Sequence, residues 1–188
     1  MNHSAAESER PPLELATPVQ GLVLRELEPG DAQTFVDWAL SNREHLTEFG
    51  GEETLPPHTV EDVIAWVCTL RERDFKPGIW LDGALIGHVT VSHLSYARGR
   101  TEELLAQSPD GFALGYGLAL ARTGRGYATE ACRALMDYAR REQGAVDFYS
   151  GTFPDNLKSQ AVLERLGFER YKATEEYVSY RLLERVAL

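Results

Sequence analysis

The stretch Phe112 to Arg140, FALGYGLALARTGRGYATEACRALMDYAR, decides how this chain folds. From Phe112 to Leu120 aromatic and aliphatic residues alternate with glycine and alanine, the pattern of a buried strand whose backbone something approaches closely. Gly124 and Gly126 then flank Arg125 in a tight turn, where N–H groups unobstructed by Cβ atoms can converge on an anion. Beyond it Ala128, Ala131, Cys132, Leu135 and Ala139 form one apolar stripe at helical spacing, with Glu130, Arg133, Asp137 and Arg140 off the stripe. A strand, a glycine turn and a helix N-terminus together hold phosphate well, because the first-turn N–H groups are unpaired and lie at the positive end of the helix dipole. Two glycines alone make only a tight strand-to-helix connection, so the neighbouring sequence has to specify more.

Two common phosphate motifs are excluded. TGRGYATEA has neither the lysine of a P-loop nor the third glycine of a dinucleotide fingerprint. Farther on, Pro154-Asp155-Asn156 opens a second helix after a strand at Val146–Phe153. That helix ends at Gly167, where a left-handed C-cap belongs, with Phe168 supplying the accompanying apolar contact.

Thr123-Gly124-Arg125-Gly126-Tyr127-Ala128 resembles the coenzyme-A-binding segment of the GNAT superfamily of N-acetyltransferases, [QR]-x-x-G-x-[GA], with threonine at the first position and Arg122 one residue earlier as a substitute charge. Asn156-x-x-Ser159 followed by Val162-Leu163-x-x-Leu166-Gly167-Phe168 resembles that superfamily's second signature. The opening Leu24–Asp31, the Asn42–Leu46 segment and Leu114-Gly115-Tyr116 resemble its ribosomal-protein N-terminal acetyltransferase branch (RimJ/RimL-type), over roughly Leu22 to Leu183. The resemblance implies an α/β (α+β) fold: a mixed, mostly antiparallel sheet of about seven strands, splayed at its centre, with about four helices. It implies acetyl-CoA as co-substrate, without a metal, and an amine acceptor that is a small molecule or a protein N-terminus. It also implies a homodimer. Backbone groups of Leu118 and Leu120 would pair with pantetheine, and the segment Thr123, Gly124, Arg125, Gly126, Tyr127 and Ala128 would hold pyrophosphate. Asn156 would bond the pantetheine arm, and Ser159 would bind there and protonate the departing thiolate.

The general base stays open. Related sequences commonly carry glutamate where this chain has Ala113, which leaves Glu52, Glu53, His88, His93, Glu175 and Glu176 as candidates, beside a water chain or an acceptor that arrives already neutral and needs no side-chain base. His88 and His93 are an odd number of residues apart, so a regular strand turns them to opposite faces. Ala113 and Thr123 also motivate a second class, a coenzyme-A-binding regulatory module with little turnover.

The rest of the chain sets bounds. Its 188 residues, 43% apolar, suit one domain. Residues 1–20, with three prolines, read as a mobile arm, and 21–188 as the domain. Nineteen basic against twenty-nine acidic residues give a charge of −10, which argues against nucleic acid and towards a cationic acceptor, as do Glu48, Glu52 and Glu53 near the expected acceptor mouth. Cys68 and Cys132 lack metal-ligand spacing and read as reduced core residues of a cytoplasmic protein, and no membrane span is evident. Asp31 is expected to cap a helix carrying Ala32, Phe35, Val36 and Ala39 on its inner face. Thr59 and Asp62 pair at the start of another, with Val60, Val63, Ile64 and Val67 buried. Asp82-Gly83 marks a hairpin, and the polar insertion Ser95–Gly111 either shapes a pocket or is a solvated loop.

Overall fold

The computed structural model describes residues 12–69, 73–96 and 102–183. Among the described residues nine strands make one sheet: β1 Glu14–Ala16, β2 Leu22–Arg25, β3 Asp74–Phe75, β4 Gly78–Leu81, β5 Ala84–His93, β6 Phe112–Leu118, β7 Phe148–Thr152, β8 Glu169–Ala173 and β9 Val178–Leu182. Their order is β1-β2-β4-β5-β6-β7-β9-β8, and β3 pairs with β5 beyond the end of β4. The helices are α1 Ala32–Ser41, α2 Arg43–Thr47, α3 Val60–Cys68, α4 Glu102–Gln107, α5 Tyr127–Gln143 and α6 Leu157–Arg165. Every strand pairing is antiparallel except β6 with β7, which α5 connects. The expected mixed α/β sheet is therefore present. The two extra strands are β1 and the two-residue β3, and the two extra helices are the short α2 and α4.

β1 corrects the reading of residues 12–20 as part of a mobile arm. Glu14–Ala16 pairs with β2, Leu13 is buried, and its N–H donates to Glu26 Oε2 at 2.9 Å. One buried leucine and a free sheet edge suffice to fix the segment, although its prolines read as an unstructured linker. Residues 1–11 lie outside the described residues.

Apolar side chains fill both faces of the sheet. On one face α5 sets Ala131, Cys132, Leu135, Met136 and Ala139 against Val89 and Val91 of β5 and Phe112 and Leu114 of β6. On the other, α1 and α3 pack through Phe35, Val36, Trp38, Ala39 and Val63 onto Trp80. Ile64, expected inside, is 37% exposed, and Cys68 at the end of α3 is exposed, so Cys132 alone of the two cysteines is a core residue. Asp31 holds the N-cap position of α1, as expected, but its side chain makes no capping bond. Its carboxylate forks onto Arg25 at 2.8 and 2.9 Å and accepts from Glu28 N–H, which holds the carboxyl below its usual range. The Thr59 hydroxyl does accept from Asp62 N–H, and Asp82 (φ 50°) with Gly83 (φ 80°) makes the expected hairpin turn.

Candidate active site

Two features of β6 and β7 open the sheet. The strands pair only at Phe112 with Phe148 and at Ala113 with Tyr149, after which they part, Ser150 Oγ reaching Leu114 O at 2.9 Å. Along β6 the side chains alternate in size: Phe112, Leu114, Tyr116 and Leu118 face α5, while Ala113, Gly115 and Gly117 face the opposite side. β5 places His88, Thr90 and Ser92 opposite Gly117, Gly115 and Ala113. A Cβ at Gly117 would lie 3.0 Å from His88 Cε1, and one at Gly115 would lie 2.9 Å from Thr90 Oγ1. The glycines thus let these two side chains lean across β6 towards the splay.

Two clefts meet there. The first, about 1320 Å³, runs from the splay to the N-termini of α5 and α6, and is bounded by His45, Leu46 and Phe49 around α2. The second, about 1530 Å³, lies between α3, α4 and the β8–β9 hairpin. Both are lined by His88, Gly115, Tyr116, Gly151, Ser159 and Tyr177. Leu104 and Gln107 of α4 line the second cleft, so the polar insertion is part of its wall.

At the mouth of the first cleft, Gly124 (φ 73°) and Gly126 (φ 81°) hold left-handed conformations, with nothing within 4 Å of where a Cβ would be. Gly126 is the N-cap of α5, whose first intrahelical bond runs from Glu130 N–H to Gly126 O. The N–H groups of Tyr127, Ala128 and Thr129 are thereby left for a ligand. Among the described residues four cations, Arg122, Arg133, Lys158 and Arg165, line this cleft against the single carboxylate of Glu130. An open glycine cradle, a helix N-terminus and surplus positive charge fit the pyrophosphate and nucleotide of coenzyme A.

Leu118, Thr123, Gly124, Gly126, Tyr127, Ala128, Asn156 and Ser159 gather around this one cleft. Thr123, where the motif usually has a glutamine or arginine, donates its hydroxyl to Leu120 O at 2.9 Å and closes the turn before the cradle. The Arg125 side chain is exposed, and Leu120 is 53% exposed with its N–H donated to Asn42 Oδ1 at 3.0 Å. That backbone donor, expected for pantetheine, is held by a side chain 78 residues away. Asn156 is the N-cap of α6, its Oδ1 accepting from Ser159 N–H at 3.0 Å.

Sequence reasoning missed Tyr116. Its hydroxyl crosses the splay to Ser159, 2.9 Å from Oγ and 3.1 Å from the carbonyl, and burial raises its pKa, keeping the phenol protonated. The alternation of β6, which turns Tyr116 and the glycines to opposite faces, was the available signal.

The structure separates the candidate bases. Glu52 is bound by Arg43 at 2.7 and 3.1 Å, and the His93 ring is tied to Ser95 Oγ and Pro109 O. Glu53 and Glu176 line the second cleft, whereas Glu48 faces His45 at 3.6 Å. His88 stands where the clefts meet, among Phe35, Trp38 and Trp66, with ring centroids 5.4–5.9 Å away. Its Nδ1 is buried without a hydrogen-bond partner, and burial lowers the pKa to about 4, leaving a neutral imidazole at pH 7.

Residues 21–169 match the family model described as an acetyltransferase (GNAT) domain. The "Probable N-acetyltransferase YjcK" of Bacillus subtilis (strain 168) is 31% identical over 156 residues, covering 79% of this chain and 81% of YjcK. Among solved structures, Mycobacterium smegmatis RimJ in complex with CoA-disulfide superposes with a TM-score of 0.70 at 22% identity, over 92% of this chain and 86% of that one. The ribosomal-protein-S5-alanine acetyltransferase from Vibrio fischeri superposes with a TM-score of 0.71 at 18% identity, over 93% and 98%. The chain belongs to the GNAT family, and is an N-acetyltransferase that takes its acyl group from acetyl-CoA.

Proposed function

We propose that this enzyme acetylates the free N-terminus of a protein or peptide with cationic character, by direct attack in a ternary complex. The observation that carries the reading is the opposite character of the two clefts. The donor cleft is basic. Among the described residues the second carries five carboxylates, Glu53, Asp62, Asp74, Glu103 and Glu176, against Lys76 and Lys172, with Trp66, Tyr96, Tyr149, Tyr171 and Tyr177 among them. Carboxylates and aromatic faces attract ammonium and guanidinium groups. At about 1530 Å³ the cleft is also larger than the roughly 300–1,000 Å³ usual for a small-molecule pocket. The name of the Vibrio fischeri protein, an acetyltransferase of a ribosomal-protein alanine, agrees with a polypeptide acceptor.

In this reading Gly124–Ala128 hold the pyrophosphate through backbone N–H groups. Leu118 pairs with the pantetheine arm along the open edge of β6, and Asn156 bonds that arm across the splay. Leu120 takes part only when Asn42 yields its N–H. The acceptor amine enters from the acidic side and attacks the thioester carbonyl where the clefts meet at Gly115, with His88 one same-face step farther along β5 and reaching the nitrogen through one water. As the C–N bond forms the nitrogen becomes much more acidic than the free ammonium, so even the weakly basic imbedded imidazole can accept its proton. Collapse of the tetrahedral intermediate breaks the C–S bond. Ser159 donates its hydroxyl proton to the thiolate while Tyr116 hydrogen-bonds the serine oxygen, and the proton His88 took from the amine returns to that oxygen through solvent, restoring both residues.

The test is mass spectrometry after incubation with acetyl-CoA and a pool of basic peptides with free N-termini, polyamines, aminoglycosides and amino acids. Acetylated peptide N-termini are expected. Acetylation confined to the small amines would replace the peptide reading with a small-molecule one.

A further inference from the structure

In the row where β6 and β7 cease to pair, Asp74, Ser92 and Ala113 lie side by side on β3, β5 and β6, all lining the acceptor cleft. Asp74 is 6% exposed, and both its oxygens are engaged: Oδ1 receives the Ser92 hydroxyl, and Oδ2 is 2.8 Å from Lys76 Nζ. Lys76 is held in turn near Trp66, its Nζ 3.4 Å from the backbone oxygen and 5.7 Å from the ring centroid. A serine whose only hydroxyl hydrogen is committed to a carboxylate presents lone pairs alone to whatever enters the cleft. Thr90 and His88 lean over glycines towards the splay. Ser92 faces Ala113, whose methyl group leaves room above β6, and turns to Asp74 instead.

We propose that Asp74, acting through Ser92, builds a subsite for a backbone N–H of the acceptor peptide, two residues beyond the reacting amine. The spacing fixes which N–H. Ser92 is one same-face step along β5 from Thr90, which lies opposite Gly115 at the meeting of the clefts, a distance of about 6.6–6.8 Å. An extended peptide advances about 3.3 Å per residue, so an amine at the junction brings the N–H of the third residue to Ser92. Asp74 is a positioning residue: its carboxylate sets the hydroxyl's direction, and Lys76 holds the carboxylate.

This inference rests on the peptide-acceptor reading, and the experiment separates the two. The probes are the peptide amide Ala-Arg-Ala-Phe and the same peptide N-methylated at its third residue, each assayed with acetyl-CoA by steady-state kinetics. Wild type should acetylate both, with a KM about fivefold higher for the methylated peptide, the loss expected for one hydrogen bond. Ser92→Ala should raise the KM of the unmethylated peptide about as much, leave the methylated one unchanged, and keep acetyl-CoA affinity within twofold. Ser92→Thr should restore the wild-type KM. Asp74→Ala, which removes the acceptor that orients the hydroxyl, should match Ser92→Ala, with the double variant no worse than either, because the two act as a unit. Equal effects of Ser92→Ala on both peptides, or none on either, would overturn the subsite while leaving the peptide reading intact. Failure of wild type to acetylate either probe overturns the peptide reading, and the subsite with it.

Discussion

Replacing Gly126 with valine separates the phosphate cradle from the rest of the fold. At φ 81° a residue with a side chain costs about 1–2 kcal/mol in backbone strain, and a β-branched one sits at the upper end. No atom lies within 4 Å of the added Cβ, so the protein itself has nothing to clash with. For a domain of this size the strain lowers Tm by about 2–4 °C per kcal/mol. The larger effect falls on the donor, because the new side chain projects into the space a pyrophosphate would occupy. Losing two hydrogen bonds to a charged group, at about 1.5 kcal/mol each, weakens binding somewhat over a hundredfold. Acetyl-CoA at a hundred times the wild-type Kd stabilises wild type by about 2.7 kcal/mol, a shift of about 5–11 °C. With affinity a hundredfold weaker, the same concentration stabilises the variant by only about 0.4 kcal/mol, or about 1–2 °C. Thermal melts with and without acetyl-CoA, backed by calorimetric titration, measure both terms. A Gly126→Val protein that retained the full ligand shift would refute the assignment of the cradle.

Ser159→Ala should lower kcat about a hundredfold, the smaller end of general-acid effects, with acetyl-CoA affinity within twofold; unchanged kcat in stopped-flow and steady-state assays would remove Ser159 from the proton path. The depressed pKa of His88 means that the unfolded chain binds a proton between pH 6.5 and about 4 that the folded chain does not. The stability present above pH 6.5 is therefore lost as pH falls through that window, and His88→Gln should flatten this part of the urea-denaturation profile; parallel profiles would contradict the burial argument. Cys68 is exposed, while Cys132 is buried with its thiol pKa raised, so a disulfide-exchange reagent should titrate one thiol in native protein and two after unfolding.

Local chemistry made the central motif legible from sequence. The turn glycines, the stripe on α5 and the hydrogen bonds of Gly167 to Glu164 O and Phe168 to Leu163 O at the end of α6 depend on neighbouring residues. What escaped depends on distant ones. Tyr116 meets Ser159 across 43 positions, and Asn42 reaches Leu120 across 78. Asp74 meets Ser92 only because the short β3 continues along β5 past the end of β4. Asp31 stands at the N-cap of α1 yet makes no capping bond for the same reason: the capping pattern is local, but Arg25 on the preceding strand offers its carboxylate two charge-assisted bonds.

Ala113 shows how such distant pairings alter the meaning of a residue. Read alone, it is a strand position without the carboxylate that the resemblance leads one to expect, which favours a module with little turnover. In the sheet it is the third member of a row whose second and first members are Ser92 and Asp74, so the row retains a buried carboxylate facing the same cleft. A glutamate side chain at 113 would also occupy the space above β6 that the proposed peptide acceptor needs. The two glycines beyond it have the complementary effect, since Thr90 and His88 lean into the room they leave and bring an imidazole to the opening between β6 and β7. One face of a single strand, kept nearly free of side chains, thus lets residues of its neighbours line the place where the two clefts join.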